Sequence, residues 1–221
     1  SHTQNNNVAV GYRCMKTSTT GGENTAIGNA AMRDGDGFLH CTAVGASALQ
    51  DNTGARNTAV GYQAAIANTS GVNNVAIGAY ALDSNTNASN NTAVGYDSLG
   101  GCTTGANNTA VGRAAAGSVT TANSNVAVGY YAGSGMTSGG GNTIVGYVAG
   151  QNISTGTDNV VIGNNTDTNN SNDTNSIVIG LNIDGVGSDY FTFGKTSNRV
   201  YNQFTSNASW TRSSDVRLKK D

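Results

Sequence analysis

The sequence predicts an all-β protein, a parallel β-solenoid built from 17-residue repeats. The main observation is the pentapeptide Asn-Thr-Ala-Val-Gly at residues 57–61, which recurs in eleven related copies along the chain. Neighbouring copies are 17 residues apart, with a single interval of 16, and a fixed period with strand-like content is typical of a solenoid. The second observation is composition, because 31 Gly and only 11% charged residues leave polar, turn-forming segments between the copies. The repeat anchors, one glycine in each copy, are Gly11, Gly28, Gly45, Gly61, Gly78, Gly95, Gly112, Gly129, Gly146, Gly163 and Gly180.

The three residues before each anchor form a short strand that is apolar on both faces. The residue directly before the anchor is Val or Ile, and the residue three before it is β-branched, as in Val60 and Thr58. These two side chains share a face because side chains alternate along a strand, and the exchange of Thr with Val predicts that this face points into the coil. The residue between them, such as Ala59, would then pack against neighbouring chains. This arrangement predicts a parallel homotrimer.

The residues that flank the strand predict how successive coils stack. The residue four before the anchor is Asn in nine repeats, with Cys41 and Ser176 as the exceptions, and stacked Asn side chains can form an amide ladder. The anchor glycine requires either positive φ or a close backbone approach. Tyr follows the anchor in five repeats, and a second short strand or a turn is expected there. The remaining positions carry the chemistry of turns.

Composition and charge exclude several classes of protein. The net charge is -2 and the basic residues are scattered except near the C-terminus, so no surface for nucleic acid is expected. No apolar run approaches the roughly 20 residues of a membrane span, so no membrane insertion is expected. The three Cys fall at unmatched repeat positions and predict no disulfide framework, and no cofactor or metal is expected. Residues 1–2 are interpreted as a tag remnant.

The repeat array is expected over residues 3–180. The loop at residues 34–40, Asp-Gly-Asp-Gly-Phe-Leu-His, suggests a calcium or receptor site, but a tight turn is favoured because a calcium loop needs more oxygen ligands at set spacing. Asp167 and Asp173 are interpreted in the same way. Residues 181–212 are rich in aromatic side chains and are predicted to form a cap or stem over the end of the array, with a binding cleft as the alternative.

The repeats resemble those of two families, the heads of trimeric autotransporter adhesins, which are left-handed parallel β-rolls, and the tail fibres of bacteriophages. The C-terminal segment Ser214-Asp215-Val216-Arg217-Leu218-Lys219 favours the second family. It is similar to the start of the endosialidase-type intramolecular chaperone of phage tailspikes and fibres, which assembles the trimer and is then cut off. Residues 213–221 are therefore interpreted as the beginning of such a chaperone.

The resemblance implies a structural and host-attachment part of a tail fibre or tailspike. Its implied partners are two further copies of the chain and a bacterial surface receptor, expected to be a glycan, and its implied location is the virion tail after synthesis in the host cytoplasm. It also implies cleavage between Ser214 and Asp215, with Ser214 as nucleophile and Lys219 as the base that activates it. The alternative for this segment is that Ser213, Ser214 and Asp215 cap a helix.

Three other functions are alternatives for the whole chain. An autotransporter adhesin head is the first, and a polysaccharide-degrading tailspike enzyme is the second. Glycosidases usually use paired carboxylates, whereas this chain has the single Glu23 and twelve Asp with no recurring pair, so no enzyme is expected apart from self-cleavage. An ice-binding surface is the third, and the predicted inward orientation of the Thr positions argues against it. Host contact is expected in the variable polar loops.

Overall fold

The structure is a computed structural model that describes residues 6–206. All regular secondary structure in this range is β, and it forms a single sheet of thirteen strands. The strands are β1 (Val8–Val10), β2 (Thr25–Ile27), β3 (Thr42–Val44), β4 (Thr58–Val60), β5 (Val75–Ile77), β6 (Thr92–Val94), β7 (Thr109–Val111), β8 (Val126–Val128), β9 (Thr143–Val145), β10 (Val160–Asn164), β11 (Ile177–Leu181), β12 (Tyr190–Lys195) and β13 (Asn198–Gln203).

The strands lie in the sheet in the order in which they occur along the chain. Each strand from β1 to β11 pairs in parallel with the next, so every repeat makes one complete coil that returns to the same sheet. The register places equivalent residues side by side, as for Ala59 and Ala76. The 16-residue interval keeps this register, because Thr42 still pairs with Thr58. The parallel β-solenoid predicted from the 17-residue period is therefore confirmed.

The assignment of the two strand faces was wrong. From β2 to β11 the second residue of each strand is the one that points into the coil, and Ala59 has 0% exposure. Its neighbours point outward, and Val60 is 36% exposed while Thr58 is half-buried. The physical reason is the width of the coil, since a small middle side chain lets the opposite wall approach closely whereas two β-branched side chains would hold it away. An apolar residue on each face could not by itself say which face was inside.

A tight turn follows each strand, where a second strand or a turn was expected. The anchor glycine opens the turn, and at Gly61 the φ angle is 141°, a conformation that L side chains rarely adopt. A Cβ on Gly61 would also collide with the carbonyl group of Gly78 in the next coil. Within the turn, Gln63 N donates to Ala46 O at 2.9 Å and Ala65 N donates to Ala81 O at 2.8 Å. These bonds join each coil to both of its neighbours on the side away from the sheet.

The predicted amide ladder is present inside the coils. Asn108 illustrates it, because its Nδ2 donates to Asn91 Oδ1 at 3.2 Å and to Ala122 O at 2.8 Å, while its Oδ1 accepts from Asn125 N at 3.0 Å. The same contacts recur from coil to coil, and the side chains are almost completely buried. At one exception, Cys41 Sγ takes over part of this role by accepting from Asn57 N at 3.4 Å. At the other, Ser176 Oγ is buried without a partner among residues 6–206.

The sheet continues past the last repeat into a hairpin. β12 pairs in parallel with β11, so that Phe191 aligns with Ile177 and Phe193 with Ile179, and β13 then returns antiparallel to β12. The Tyr190 and Tyr201 rings meet with centroids 6.1 Å apart. The described part of the segment predicted as a cap or stem thus extends the sheet of the array by two strands.

Candidate binding surfaces

The outward positions of the strands form a continuous apolar strip, which we call the outer strip. It contains the first and third residues of β1 to β11 together with Phe191 and Phe193 of β12. Every one of these residues is Val, Ile, Thr or Phe, and none carries a charge. Exposure of the third residue reaches 57% at Val10 and 40% at Ile77. At a strand spacing of about 4.8 Å, twelve strands give a strip about 50 Å long.

The burial of the coil interior does not depend on this surface. Contiguous apolar patches of more than a few hundred Å² mark contacts with other molecules in most soluble proteins. The repeat keeps the outer strip as regularly as it keeps the interior, although only the interior is needed for stacking the coils. The strip is therefore the surface on which a partner is expected.

A second surface runs beside the outer strip and consists of aromatic side chains from the turns, which we call the tyrosine row. Its first part contains Tyr62, Tyr80 and Tyr96 from three successive coils. The ring centroids of Tyr62 and Tyr80 are 5.4 Å apart, and those of Tyr80 and Tyr96 are 5.8 Å apart. Both pairs are close to perpendicular, which is a favourable geometry for aromatic rings.

Arg113 continues the tyrosine row in the next coil. Its guanidinium carbon lies 5.6 Å from the ring centroid of Tyr96 and 5.7 Å from those of Tyr130 and Tyr131. Its Nη1 donates to the Tyr130 hydroxyl at 3.3 Å. The Tyr147 ring then stacks on Tyr130 with centroids 5.2 Å apart. The row thus occupies six successive coils without a gap.

Two carboxylates lie beside the tyrosine row, although no recurring pair was visible in the sequence. The Oδ1 atoms of Asp83 and Asp97 both approach the position that a Cβ on Gly100 would take, so the two groups share one site. Burial raises the pKa of both carboxyl groups, and the charge of Asp97 adds to the effect on Asp83 while Arg113 opposes it at Asp97. Loss of hydration, the neighbouring tyrosines and Asp83 also raise the pKa of Tyr80.

The loop at residues 34–40 consists of bends, and its Asp36 binds the preceding coil. The Asp36 carboxylate accepts hydrogen bonds from the Thr19 hydroxyl at 2.6 Å and from the backbone N–H groups of Thr19 and Thr20 at 2.8 and 2.7 Å. The Thr19 hydroxyl and these N–H groups hold the pKa of Asp36 well below its usual range. Its oxygens thus serve as acceptors for the chain itself.

Asp167 and Asp173 are also used within the chain. Asp167 is 7% exposed and accepts from Asn152 N at 2.8 Å and from Thr168 N at 2.9 Å. Asp173 accepts from Asn170 N at 2.8 Å. Burial raises the pKa of Asp167 to about 6, in spite of the two N–H donors. Across residues 6–206, no three side chains of His, Cys, Asp or Glu gather in a way that could hold a metal ion.

The residues expected to carry self-cleavage lie outside the described part of the chain. Ser214, Asp215 and Lys219 all follow residue 206, and so does the remainder of the segment at residues 213–221. The repeat anchors, in contrast, are all described, and ten of the eleven have positive φ. A search of residues 6–206 for a helix long and apolar enough to cross a membrane finds none.

Comparison of the chain with protein-family models, with curated proteins and with solved structures finds no match.

The pattern of Tyr after the anchors covers only part of the tyrosine row. Five Tyr share that single repeat position. Tyr80 and Tyr131 occupy the position after that one, and only the coil geometry shows that both positions feed the same row. A search for aromatic residues at either position would have shown that they cluster between Tyr62 and Tyr147.

Proposed function

We propose that this chain is the shaft and host-attachment part of a bacteriophage tail fibre or tailspike, assembled as a parallel homotrimer. The observation that carries the proposal is the outer strip, an uncharged apolar face along the whole described array. A rigid solenoid with one such face is suited to a fibre, because chains related by a three-fold axis can bury it along their full length. The resemblance of residues 214–219 to the start of a fibre chaperone supports the same conclusion.

The location of the interface follows from the corrected strand faces. The Thr and Val side chains of the outer strip, and not the alanines, would face the neighbouring chains. Burying β-branched and aromatic side chains there is favourable by about 25 cal/mol for each Å² of apolar surface. The polar loops on the other sides of the coil would remain accessible, and the receptor, proposed to be a bacterial surface glycan, would be contacted there.

Light scattering on the native protein tests assembly directly. A mass three times that of one chain supports the proposal, and a monomer contradicts it. Attachment is tested by adding the purified protein to candidate host cells before the phage, since occupied receptors would reduce phage adsorption. Substitution of each polar loop in turn should then identify a cluster that is needed for attachment and not for folding.

The proposed processing at Ser214 is tested in the full-length gene. Ser214→Ala and Lys219→Ala should each leave a single long chain on a denaturing gel, while the wild type gives two fragments. Loss of the serine removes the nucleophile, and loss of the lysine removes the base that takes its proton. A wild-type chain that stays whole, or a variant that is cut normally, contradicts this part of the proposal.

An ice-binding surface is the second candidate, because the strand faces now favour it. The argument against it was that the Thr positions face inward, and those positions face outward instead. A regular outward array of Thr and Val is the arrangement that such a surface requires. Thermal hysteresis in a freezing-point measurement, lost in Thr58→Lys, would support this candidate over the trimeric fibre.

A further inference from the structure

The tyrosine row is confined to part of the array, unlike the features that build the fold. The Asn ladder, the anchor glycines and the outer strip run through nearly every coil. The row begins at Tyr62 and ends at Tyr147, and the two coils before it carry Asn29, Ala30, Ala46 and Ser47 at the same positions. A contact used for stacking or for assembly along the fibre would be repeated in all coils. The row therefore reflects a requirement of these six coils and not of the fold as a whole.

The chemistry of the row combines exposed ring faces with polar groups that the chain does not fully use. Tyr62, Tyr96, Tyr130 and Tyr147 are exposed, and their rings present apolar faces with a hydroxyl at the edge. Arg113 contributes guanidinium N–H donors at the middle of the row. Such a mixture of aromatic faces with a few placed polar groups is typical of ligand sites.

The two carboxylates of the row differ from the other partly or fully buried carboxylates of the chain. Asp36, Asp167 and Asp173 each accept backbone N–H groups at 2.7–2.9 Å. The Asp97 carboxylate receives no hydrogen bond from residues 6–206 that meets normal geometry. Asp83 receives one from the Ser84 hydroxyl at 3.4 Å, and the N–H groups of Ser84 and Asp83 act on it as well. Both side chains are partly exposed, so their remaining acceptor sites are open to water or to the hydroxyl groups of a ligand.

The charge of the row restricts the class of ligand. Arg113 is the single cation among the row residues, and Asp83 and Asp97 place two carboxylates beside it. Single-stranded nucleic acid also stacks on aromatic side chains, but its binding grooves are positively charged, which this row is not. The negative charges of an acidic polysaccharide would be repelled by the carboxylates of Asp83 and Asp97. A neutral chain with many hydroxyl groups fits all three features, since its C–H faces stack on rings and its hydroxyls bond to carboxylates and guanidinium.

We infer that the tyrosine row with Asp83 and Asp97 is the binding surface for a neutral, extended glycan chain that lies along the fibre axis. The row spans about 24 Å at the coil spacing, so several sugar units would bind at once. This inference rests on the proposed attachment function and places the receptor contact in the aromatic turns, whereas the sequence suggested the polar loops.

The test measures binding of the purified protein to a panel of soluble polysaccharides by affinity electrophoresis. The panel contains neutral linear chains, namely a β-glucan, a galactan and a mannan, with hyaluronan as the acidic chain and an oligo-dT as the nucleic acid. Binding to at least one neutral chain is expected, and loss of one ring by Tyr80→Ala or Tyr96→Ala should weaken it by about 3- to 10-fold, given the usual strength of ring contacts. Asp97→Asn should also weaken it.

Two matched controls use the first coil, where Arg13 lies 5.1 Å from the Tyr12 ring. Tyr12→Ala removes a tyrosine at the repeat position of Tyr96, and Arg13→Ala removes the arginine beside it. Both lie outside the row and should leave binding unchanged. All variants should unfold at the temperature of the wild type within a few degrees, because the substituted side chains lie at the surface. Binding to none of the neutral chains, or equal weakening by Tyr12→Ala and Tyr80→Ala, would overturn the inference.

The remaining outcomes separate this inference from the proposed function. Preferred binding of hyaluronan or oligo-dT through the row would overturn the assignment to a neutral glycan. Release of shorter fragments from a bound polysaccharide would overturn the assignment as a binding surface, because Asp83 and Asp97 would then be a hydrolytic pair. If Tyr80→Ala adsorbs to host cells as well as the wild type does, the inference about the row is wrong, while the proposed attachment function is unaffected. A wild type that binds a neutral chain through the row but adsorbs to no cells would contradict attachment alone.

Discussion

On the inner and outer faces of the same short strands, the same residue types recur from repeat to repeat for different reasons. On the inner face, Ala59 and its equivalents are buried against the opposite wall of the coil, and the Asn ladder beside them satisfies its own polar groups. On the outer face, Val60 and its equivalents are exposed or half-buried. Stacking of the coils explains the first pattern and does not explain the second. The comparison supports the proposal that the repeat specifies an assembly as well as a coil.

The largest expected effect is a loss of stability when a carboxylate is placed on the inner face, compared with the same change at the next residue on the outer face. Ala59→Asp places an unpaired carboxylate inside the coil, and such a group costs several kcal/mol, which is a large part of the stability of most domains. Val60→Asp places the same group one residue further on, at the surface of the single chain. We expect Ala59→Asp to unfold the surrounding coils, as measured by circular dichroism.

For Val60→Asp the expected result is a folded chain that no longer assembles. Its circular dichroism spectrum should match the wild type, while light scattering should show a monomer, because the carboxylate would be buried in the trimer interface. Val94→Asp, at the same position two coils later, should behave identically. A normal trimer formed by either variant would contradict the assignment of the outer strip as the interface.

The Asn ladder tests the inner face without introducing a charge. Asn108→Ala leaves Asn125 N and Ala122 O buried without their partners, which costs about 2–5 kcal/mol for the two groups together. Asn87→Ala is the matched control, since Asn87 is exposed in a loop and its change should cost less than about 0.5 kcal/mol. Equal denaturation midpoints for the two variants in urea would show that the ladder contributes nothing to stability.

The sequence was sufficient for the features that depend on period alone. The coil length, the parallel pairing and the Asn ladder all follow from residues that recur every 17 positions, because stacked coils place equivalent residues in contact. The orientation of the strand faces did not follow, since Ala59 and Val60 are both apolar and the period is the same for each. The distinction comes from the width of the coil, because the opposite wall lies too close for two β-branched side chains and leaves room for one small one.

The sequence pattern also did not predict how a larger side chain on one wall of the coil is matched by glycine on the facing wall. The middle strand residue changes from Ala to Ile at Ile144, and the coil keeps its width because Gly133 and Gly150 stand on the facing wall. A Cβ on Gly150 would approach the Ile144 side chain to 2.9 Å. In the sequence these glycines look like ordinary turn residues. The candidate site was missed for a related reason, because Asp83 and Asp97 are at different repeat positions and meet only through the coil geometry.

The chain also contains a buried carboxylate, that of Asp167, whose contribution to stability depends on pH. Burial raises the pKa of Asp167 to about 6, above the value near 4 of an unfolded aspartate. The folded chain therefore holds this proton more tightly, so the contribution of Asp167 to stability is fully present below about pH 4 and is lost as the pH rises through 6. At about 1.4 kcal/mol for each pKa unit, the free energy of unfolding should fall by about 3 kcal/mol across this window.

Asp167→Asn removes this titration and should flatten the dependence of the urea midpoint on pH between 4.5 and 7.5, whatever its effect on absolute stability. Asp158→Asn replaces an exposed carboxylate in the neighbouring loop and should leave the slope as in the wild type. The prediction concerns the slope because the single oxygen of the introduced amide would replace two carboxylate oxygens, each of which now accepts one N–H group. A slope as steep in Asp167→Asn as in the wild type would contradict the assignment.

The smallest expected effect compares two adjacent threonines on a loop, one that joins coils and one that points away. Thr103 Oγ1 donates to Thr120 O in the next coil at 3.1 Å, whereas the Thr104 hydroxyl is exposed and has no partner within residues 6–206. Because water can replace an exposed hydrogen bond, Thr103→Ala should cost only about 0.5 kcal/mol. Thr104→Ala should be silent within error, and thermal unfolding of the two variants side by side measures the difference. A larger loss in Thr104→Ala than in Thr103→Ala would mean that the loop side chains contribute to stability through contacts other than coil-to-coil hydrogen bonds.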